Sequence, residues 1–237
     1  GMALAAAGCS NQSSETDLNQ NQTAADAQTP QAADAESEAD HDDQKDFEAF
    51  SEMLSKSMGS DQLYYEFELR VEGVSRDYYT VWRIEDQIRL DTFDQNYSIY
   101  ANLTERTVYV YDRSKGILAP AEYDEALFTE LMTPVAFNEP LDKDMFEHVH
   151  FEGSALMDGK PCDVYEVHAA DLNVTYYLWK ENGLTLKMIA QITGFPQYEY
   201  YFRSVQLNGV SADEVSMPKG IEVVKEKTVL PDLNVGP

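Results

Sequence analysis

The sequence predicts an α+β fold: a curved, incomplete antiparallel β-barrel of about ten strands, with two or three helices packed on its concave side. Three observations predict it. Apolar and polar residues alternate through most of residues 62–207, Asp-Gly and Asn-Gly pairs punctuate that alternation, and the first 46 residues of the 237 contain no aromatic residue. The whole core must therefore come from residue 47 onward, and so many antiparallel strands have to curl to bury one face.

Before the first strand, DFEAFSEMLSKSM (46–58) places Phe47, Phe50, Met53 or Leu54, and Met58 at helical spacing. Asp46 stands where an N-cap belongs and Gly59 follows the end, so the spacing predicts an amphipathic helix laid on the sheet. From residue 62 the period changes to two. QLYYEFELRVEG sets Leu63, Tyr65, Phe67, Leu69 and Val71 on one face against Gln62, Tyr64, Glu66, Glu68, Arg70 and Glu72 on the other, which is the signature of a half-buried strand. Comparable strands are predicted at 77–84, 87–91, 96–102 and 106–112, spaced as a meander of hairpins.

Residues 121–148 break the alternation. AEYDEALFTELM reads as a helix, Pro134 and Pro140 limit a loop, and LDKDMFEH reads as a second short helix. Beyond this insertion the hairpin signals are strongest. Asp158-Gly159 separates EHVHFEGSALM from KPCDVYEVH, and Asn182-Gly183 separates VTYYLWKE from LTLKMIAQI. Such pairs supply the positive φ angles of a type I′ turn. QYEYYFRSVQL (197–207) adds a last alternating strand, closed by Asn208-Gly209.

The N-terminal part has a different composition. GMALAAAGCS shows a short apolar run, then small residues at Ala6, Ala7 and Gly8, then Cys9. This resembles the lipobox of bacterial lipoproteins, in which the cysteine is acylated and becomes the mature N-terminus. On that resemblance residues 1–9 are the remnant of a signal peptide, Cys9 carries the lipid, and the protein is held at the outer face of the cytoplasmic membrane or in the periplasm of a bacterial envelope. Residues 10–46 are poor in apolar side chains and rich in Gln, Asn, Ser, Ala and acids, so they are expected to be a disordered tether. Residues 47–237 are then the folded domain.

Charge narrows the partners. The formal charge is -26, a surface that repels phosphate backbones and so disfavours nucleic acid. No Gly-x-Ser-x-Gly elbow, phosphate-cradling glycine loop or Ser-x-x-Lys occurs, and acidic residues are too dense for any carboxylate pair to stand out. No catalytic residue, cofactor or enzymatic activity is therefore predicted. His148 and His150 share a strand face and could chelate a metal with a third ligand such as Glu147 or Glu152, but chance exposure explains two strand histidines as well, so no metal site is predicted either. Cys162, on a strand, reads as a small buried apolar residue. Tyr64, Tyr78, Tyr97, Tyr109, Tyr111, Tyr177 and Tyr201 alternate with predicted core residues, which makes them face outward or into a mouth.

The order of features over about 46–224 is similar to the LolA/LolB-like superfamily of envelope proteins. The resemblance rests on a helix before the first strand, YVYD at 109–112, the helical insertion, GKPCDVYEVHA followed by LWKENGLTLKM, and a closing NGVSADEVSMPKGIEV with Met217, Pro218 and Gly220 in the closing motif. It implies a half-barrel whose cavity holds a lipid or other hydrophobic ligand. The side chains that would line it are Leu63, Tyr65, Phe67, Trp82, Ile84, Leu178, Leu186, Met188, Tyr200 and Phe202. The alternative is an interaction or sensor module that meets another envelope protein through its sheet surface, with the cavity filled.

Overall fold

The structure, a computed structural model, describes residues 36–137, 139–231 and 233. Cys9 and the tether up to residue 35 lie outside the described residues. Alternation through the middle of the chain is realised as one sheet of twelve strands, two more than the pattern gave. They are β1 (Gln62–Val71), β2 (Val74–Ile84), β3 (Gln87–Thr92), β4 (Tyr97–Asn102), β5 (Thr107–Asp112), β6 (Ile117–Pro120), β7 (His148–Met157), β8 (Lys160–Ala169), β9 (Leu172–Trp179), β10 (Thr185–Ile192), β11 (Tyr198–Leu207) and β12 (Glu222–Val223). The helices are α1 (Glu36–Ser55), α2 (Glu125–Glu130) and α3 (Ala212–Val215), with a 3-10 turn at Lys143–Met145.

The spatial order is β12-β6-β5-β4-β3-β2-β1-β11-β10-β9-β8-β7. Two meanders, β1 to β6 and β7 to β11, are joined where β1 pairs with β11 in the register Leu63↔Leu207, Phe67↔Phe202 and Leu69↔Tyr200. Every neighbour pair is antiparallel except β12 with β6. Among the described residues β7 and β12 have no strand beyond them, so the sheet is a curved half-barrel that does not close.

Turn chemistry follows the sequence in one case and departs from it in another. Asp158 and Gly159 have φ of 48° and 74°, as a type I′ hairpin requires. At Asn182-Gly183 only Gly183 has positive φ, at 71°, and the chain bends from Trp179 onward, with the Gly183 amide donating to the Trp179 carbonyl at 2.8 Å. The reason is α1: a Cβ on Gly183 would lie 1.9 Å from the Met53 carbonyl oxygen. The glycine serves the approach of helix to hairpin as well as the turn.

α1 begins at Glu36, ten residues ahead of the expected Asp46, and two of its acidic residues find partners on β7. Asp43 Oδ2 lies 2.9 Å from His148 Nδ1. Asp46 Oδ2 accepts the Phe151 amide at 2.8 Å and lies 3.5 Å from His150 Nδ1. That amide faces away from β8, so the carboxylate covers part of an edge that would otherwise be open to another strand. Further along α1, Phe50, Met53 and Leu54 are buried against Tyr165, Val167, Val174, Tyr176, Leu178 and Ala190 of β8, β9 and β10.

A second apolar cluster fills the concave side of β1 to β5. Leu63, Tyr65, Phe67, Tyr79, Val81, Ile88, Leu90, Ile99, Val108 and Val110 meet Val135 of the 121–146 segment there. That segment contains α2, capped by Asp124, and is fastened to the sheet twice. The Tyr65 hydroxyl donates to the Met132 carbonyl at 2.8 Å, and the Thr185 amide donates to the Pro134 carbonyl at 2.8 Å. α3 instead packs on the outer face against β2 and β3, where Arg89 Nη1 reaches the Glu214 carbonyl.

Candidate binding groove

With α1 and the 121–146 segment covering most of the concave side, space is left near its β12 end. A groove of about 520 Å³ lies between the inner face of β3 to β6 and the chain that follows β12, a size within the range of ligand pockets. Its walls are Tyr97, Val110, Ile117 and Ala119 on the sheet side and Val224, Val229, Pro231 and Leu233 on the other. Two elements set this geometry. Alternation turns Val110 and Ala119 inward as register partners. Beyond β12, the Val224 amide donates to the Leu118 carbonyl at 2.9 Å and the Thr228 amide to the Pro120 carbonyl at 2.8 Å, so the C-terminal segment runs alongside β6 as a strap.

The mouth of the groove is charged. Asp94, Asp112, Lys115, Glu226 and Lys227 stand around it. Asp112 binds Lys115 at 2.8 Å and accepts from Ser114, and these bonds hold its carboxyl down at about 2. Asp94 is likewise held below the ordinary carboxylate range by bonds from Thr92 and Asn96. Lys227 pairs with Glu122. Asp94 and Asp112 are therefore held in their ionised form, beside the aliphatic side chains of the walls.

The ten side chains expected to line a cavity are placed elsewhere. Leu63, Tyr65, Phe67, Leu178, Leu186 and Phe202 are buried in the packed interior, while Met188 and Tyr200 pack at its margin. Trp82 and Ile84 are on the opposite face, because Tyr79 and Val81 take the inward positions of β2; Trp82 pairs with Tyr64 across the strands. Both tracks of YYTVWRI carry large apolar side chains, and each holds one polar residue, Thr80 or Arg83, so period alone could not say which one faces in. None of the ten borders the groove. Tyr97, expected to face outward or into a mouth, lines it, on the inward track with Ile99 two residues on, which is fully buried.

None of the residues that line the groove was predicted as ligand-binding from the sequence: neither Thr92, Phe93, Asp94, Val110, Asp112, Lys115, Ile117 and Ala119 of the sheet and its turns, nor Val224, Val229, Pro231 and Leu233 of the strap. The signal for the strap was the apolar spacing of Val229, Leu230 and Leu233 around Pro231 in TVLPDL, too short to be read as an element.

The outer face carries a continuous band of rings and charges. Register places Tyr64, Trp82, Arg89, Tyr100 and Tyr109 side by side across five strands. Beside this row, Arg89 and Arg113 both bind Asp91, at 2.7 and 2.6 Å, and Arg70 and Arg203 both bind Glu68, at 2.7 and 2.8 Å. Tyr64 and Tyr78 donate to Glu66. His148 and His150 are exposed and face the α1 carboxylates, and among the described residues no group of three metal-ligating side chains comes together. Cys162 is fully buried, and burial pushes its thiol up to about 11.

No family model matches the chain, and no curated protein matches it. Among solved structures, the chain is similar to MucB with 16% identity over 76% of this chain and a TM-score of 0.48. It spans 66% of that protein's length. It is also similar to LprF from Mycobacterium bovis, with 10% identity over 73% of this chain and 98% of that one at a TM-score of 0.42. A LolA superfamily protein, NE2245 from Nitrosomonas europaea, matches with 10% identity over 72% and 97% at a TM-score of 0.32. The curved, unclosed twelve-stranded sheet is of the half-barrel kind.

Proposed function

We propose that this protein is a membrane-anchored extracytoplasmic lipoprotein that binds a lipid or other hydrophobic ligand, and that the ligand sits in the groove under the C-terminal strap. The observation that carries the reading is the groove itself: about 520 Å³, lined in similar measure by aliphatic side chains and by polar and charged ones. An amphiphile with a single chain suits such a site. Its tail replaces water along Val110, Ile117, Ala119, Val224 and Leu233, and its polar end stays among Lys115, Lys227 and the carboxylates. Burial of each methylene contributes about 0.8 kcal/mol, so a chain of modest length suffices for micromolar binding. The reading contains no catalytic step.

Titration with a fluorescent fatty acid tests it. Ala119→Trp fills the groove from its floor, and its expected effect is a loss of affinity of about tenfold or more; equal binding by the parent and this variant would sink the proposal. The anchor is tested separately, by incorporation of labelled palmitate into the chain expressed with its own leader and its absence in Cys9→Ser.

A second reading, contact with an envelope protein through the sheet surface, is favoured by the outer band of Tyr, Trp and Arg. These are the residue types over-represented at protein interfaces. It predicts that Tyr109→Ala and Tyr111→Ala together abolish co-purification with a partner while leaving fatty-acid binding unchanged.

A further inference from the structure

Four of the large apolar side chains exposed on the described surface share one end of the sheet. Val74 (52% exposed) begins β2 after the β1-β2 turn, Phe93 (39%) is in the β3-β4 turn, and Ile192 (37%) and Phe195 (60%) flank the β10-β11 turn. These three hairpins are consecutive in the sheet, so their turns form one rim, with neighbouring tips two strand widths or about 10 Å apart. The tips are held in shape. The Phe195 amide donates to the Ile192 carbonyl at 3.0 Å, Gln191 Nε2 donates to the Phe195 carbonyl at 2.8 Å, and Phe93 sits edge-on to Tyr78 at 5.2 Å.

Two further features converge on this end. α1 starts there: Asp43 meets His148, which pairs with His168. His168 in turn opposes Asn173, the neighbour of Leu172, and Leu172 is the register partner of Ile192. The far end of α1 meets Gly183, at the opposite end of the sheet. The 35 residues that precede α1, including Cys9, thus join the domain on the side of the apolar rim. Phe93, Asp94 and Lys115, at this end of the sheet, also line the groove.

We propose that this rim is a membrane-contacting edge, in which Val74, Phe93, Ile192 and Phe195 enter the headgroup layer of a bilayer and stand the sheet end-on to it. The spacing favours a lipid surface over a protein. A protein interface is built on a contiguous, fully desolvated centre, whereas these side chains are single knobs separated by Glu72, Gly73, Gln95, Thr193 and Gly194. A fluid surface moulds itself around separate knobs. Charge points to zwitterionic lipid: Glu72 and Asp94 stand beside the tips together with Arg76 and Lys115, so there is no basic cluster to draw the rim to an anionic leaflet.

The test uses the unacylated full-length chain and vesicles of phosphatidylcholine, and its readout does not depend on what the groove holds. In F195W the new indole is expected to shift its emission to the blue on vesicles and to be quenched by brominated phosphatidylcholine. In L156W it is not, because Leu156, 73% exposed, is near the opposite end of the sheet on β7. The double variant Ile192→Ser, Phe195→Ser is expected to float with vesicles about tenfold less than the parent. The proposal is overturned if the F195W indole does not respond, or if the parent and the double variant float equally; either result would leave a protein as the occupant of the rim.

Discussion

Arg89 lays its guanidinium 4.3 Å over the ring of Trp82 while gripping both carboxylate oxygens of Asp91 at 2.9 and 2.7 Å. Asp91 is buried on the outer face and takes two more bonds, from Ser98 at 2.7 Å and Arg113 at 2.6 Å. Desolvation pushes its carboxyl up, and the bonds from Arg89, Ser98 and Arg113 more than offset this, leaving it below its ordinary value. Removing the fork in Arg89→Ala takes away one of two cations from a buried anion and bares a face of Trp82. A cost of about 3 kcal/mol is expected, measured as a fall in the urea midpoint at an unchanged slope.

The same site gives an acid limb. A carboxyl whose pKa is lower folded than unfolded adds stability above the unfolded value and loses it as pH falls through the folded one. Asp91, Glu68, Glu199 and Glu214 are all shifted downward. Unfolding free energy is therefore expected to be flat near neutrality and to fall with acidification below about pH 4.5. Asp91→Asn should flatten that limb. Urea titrations at pH 6, 4 and 3 check it, and an equally steep limb in the variant would remove Asp91 from the account.

Gly183 and Gly159 both have positive φ, 71° and 74°, yet their surroundings differ. Around Gly159 there is open space, whereas a Cβ on Gly183 would collide with the Met53 carbonyl. Gly159→Ala is expected to cost about 1 kcal/mol from backbone strain alone. Gly183→Ala should cost several times as much, about 3 kcal/mol or more, because the C-terminal turn of α1 has to move. Parallel denaturation of the two variants checks the ratio.

How much of this was legible beforehand depended on whether one track of a segment was unambiguous. In QLYYEFELRV the acids and Arg70 mark the wet face, and Leu63, Tyr65 and Phe67 are buried as expected. In YYTVWRI both tracks carry large apolar side chains and one polar residue each, Thr80 or Arg83, and tertiary packing chose Tyr79 and Val81. The half-barrel was readable because it follows from many alternating strands with short turns. The groove was not, because it depends on which of the chain's own segments cover the concave side. Phe50 and Val135 leave no room where Leu178 and Leu63 point, while the strap around Pro231 roofs a space rather than filling it. The early start of α1 was hidden too, since Asp43 and Asp46 gain their partners only across 105 residues, at His148 and Phe151.

Phe50 is the pivot of α1. It is fully buried, with ring centroids 5.2 Å from Tyr165 and 5.5 Å from Tyr176. Phe50→Ala leaves a cavity bordered by aromatic rings that cannot collapse inward, and a cost of about 3 to 5 kcal/mol is expected. Most of that loss should appear as release of the helix: hydrogen exchange of α1 amides is expected to accelerate far more than that of β1 or β2 in the same variant.

Cys162 reports opening at the other end of the interior. Its Sγ is buried on β8 beside Leu184 and Leu186, and with the thiol pushed up to about 11 only about one molecule in a thousand is thiolate at pH 8. A soluble disulfide reagent is therefore expected to leave the native chain unmodified for hours and to label it at once in denaturant. Because Gly183 couples the neighbouring hairpin to α1, Gly183→Ala should raise the labelling rate well above that of the parent, and Gly159→Ala, at an exposed turn, should raise it only slightly. Equal rates in the two variants would mean that β8 opens without help from the helix.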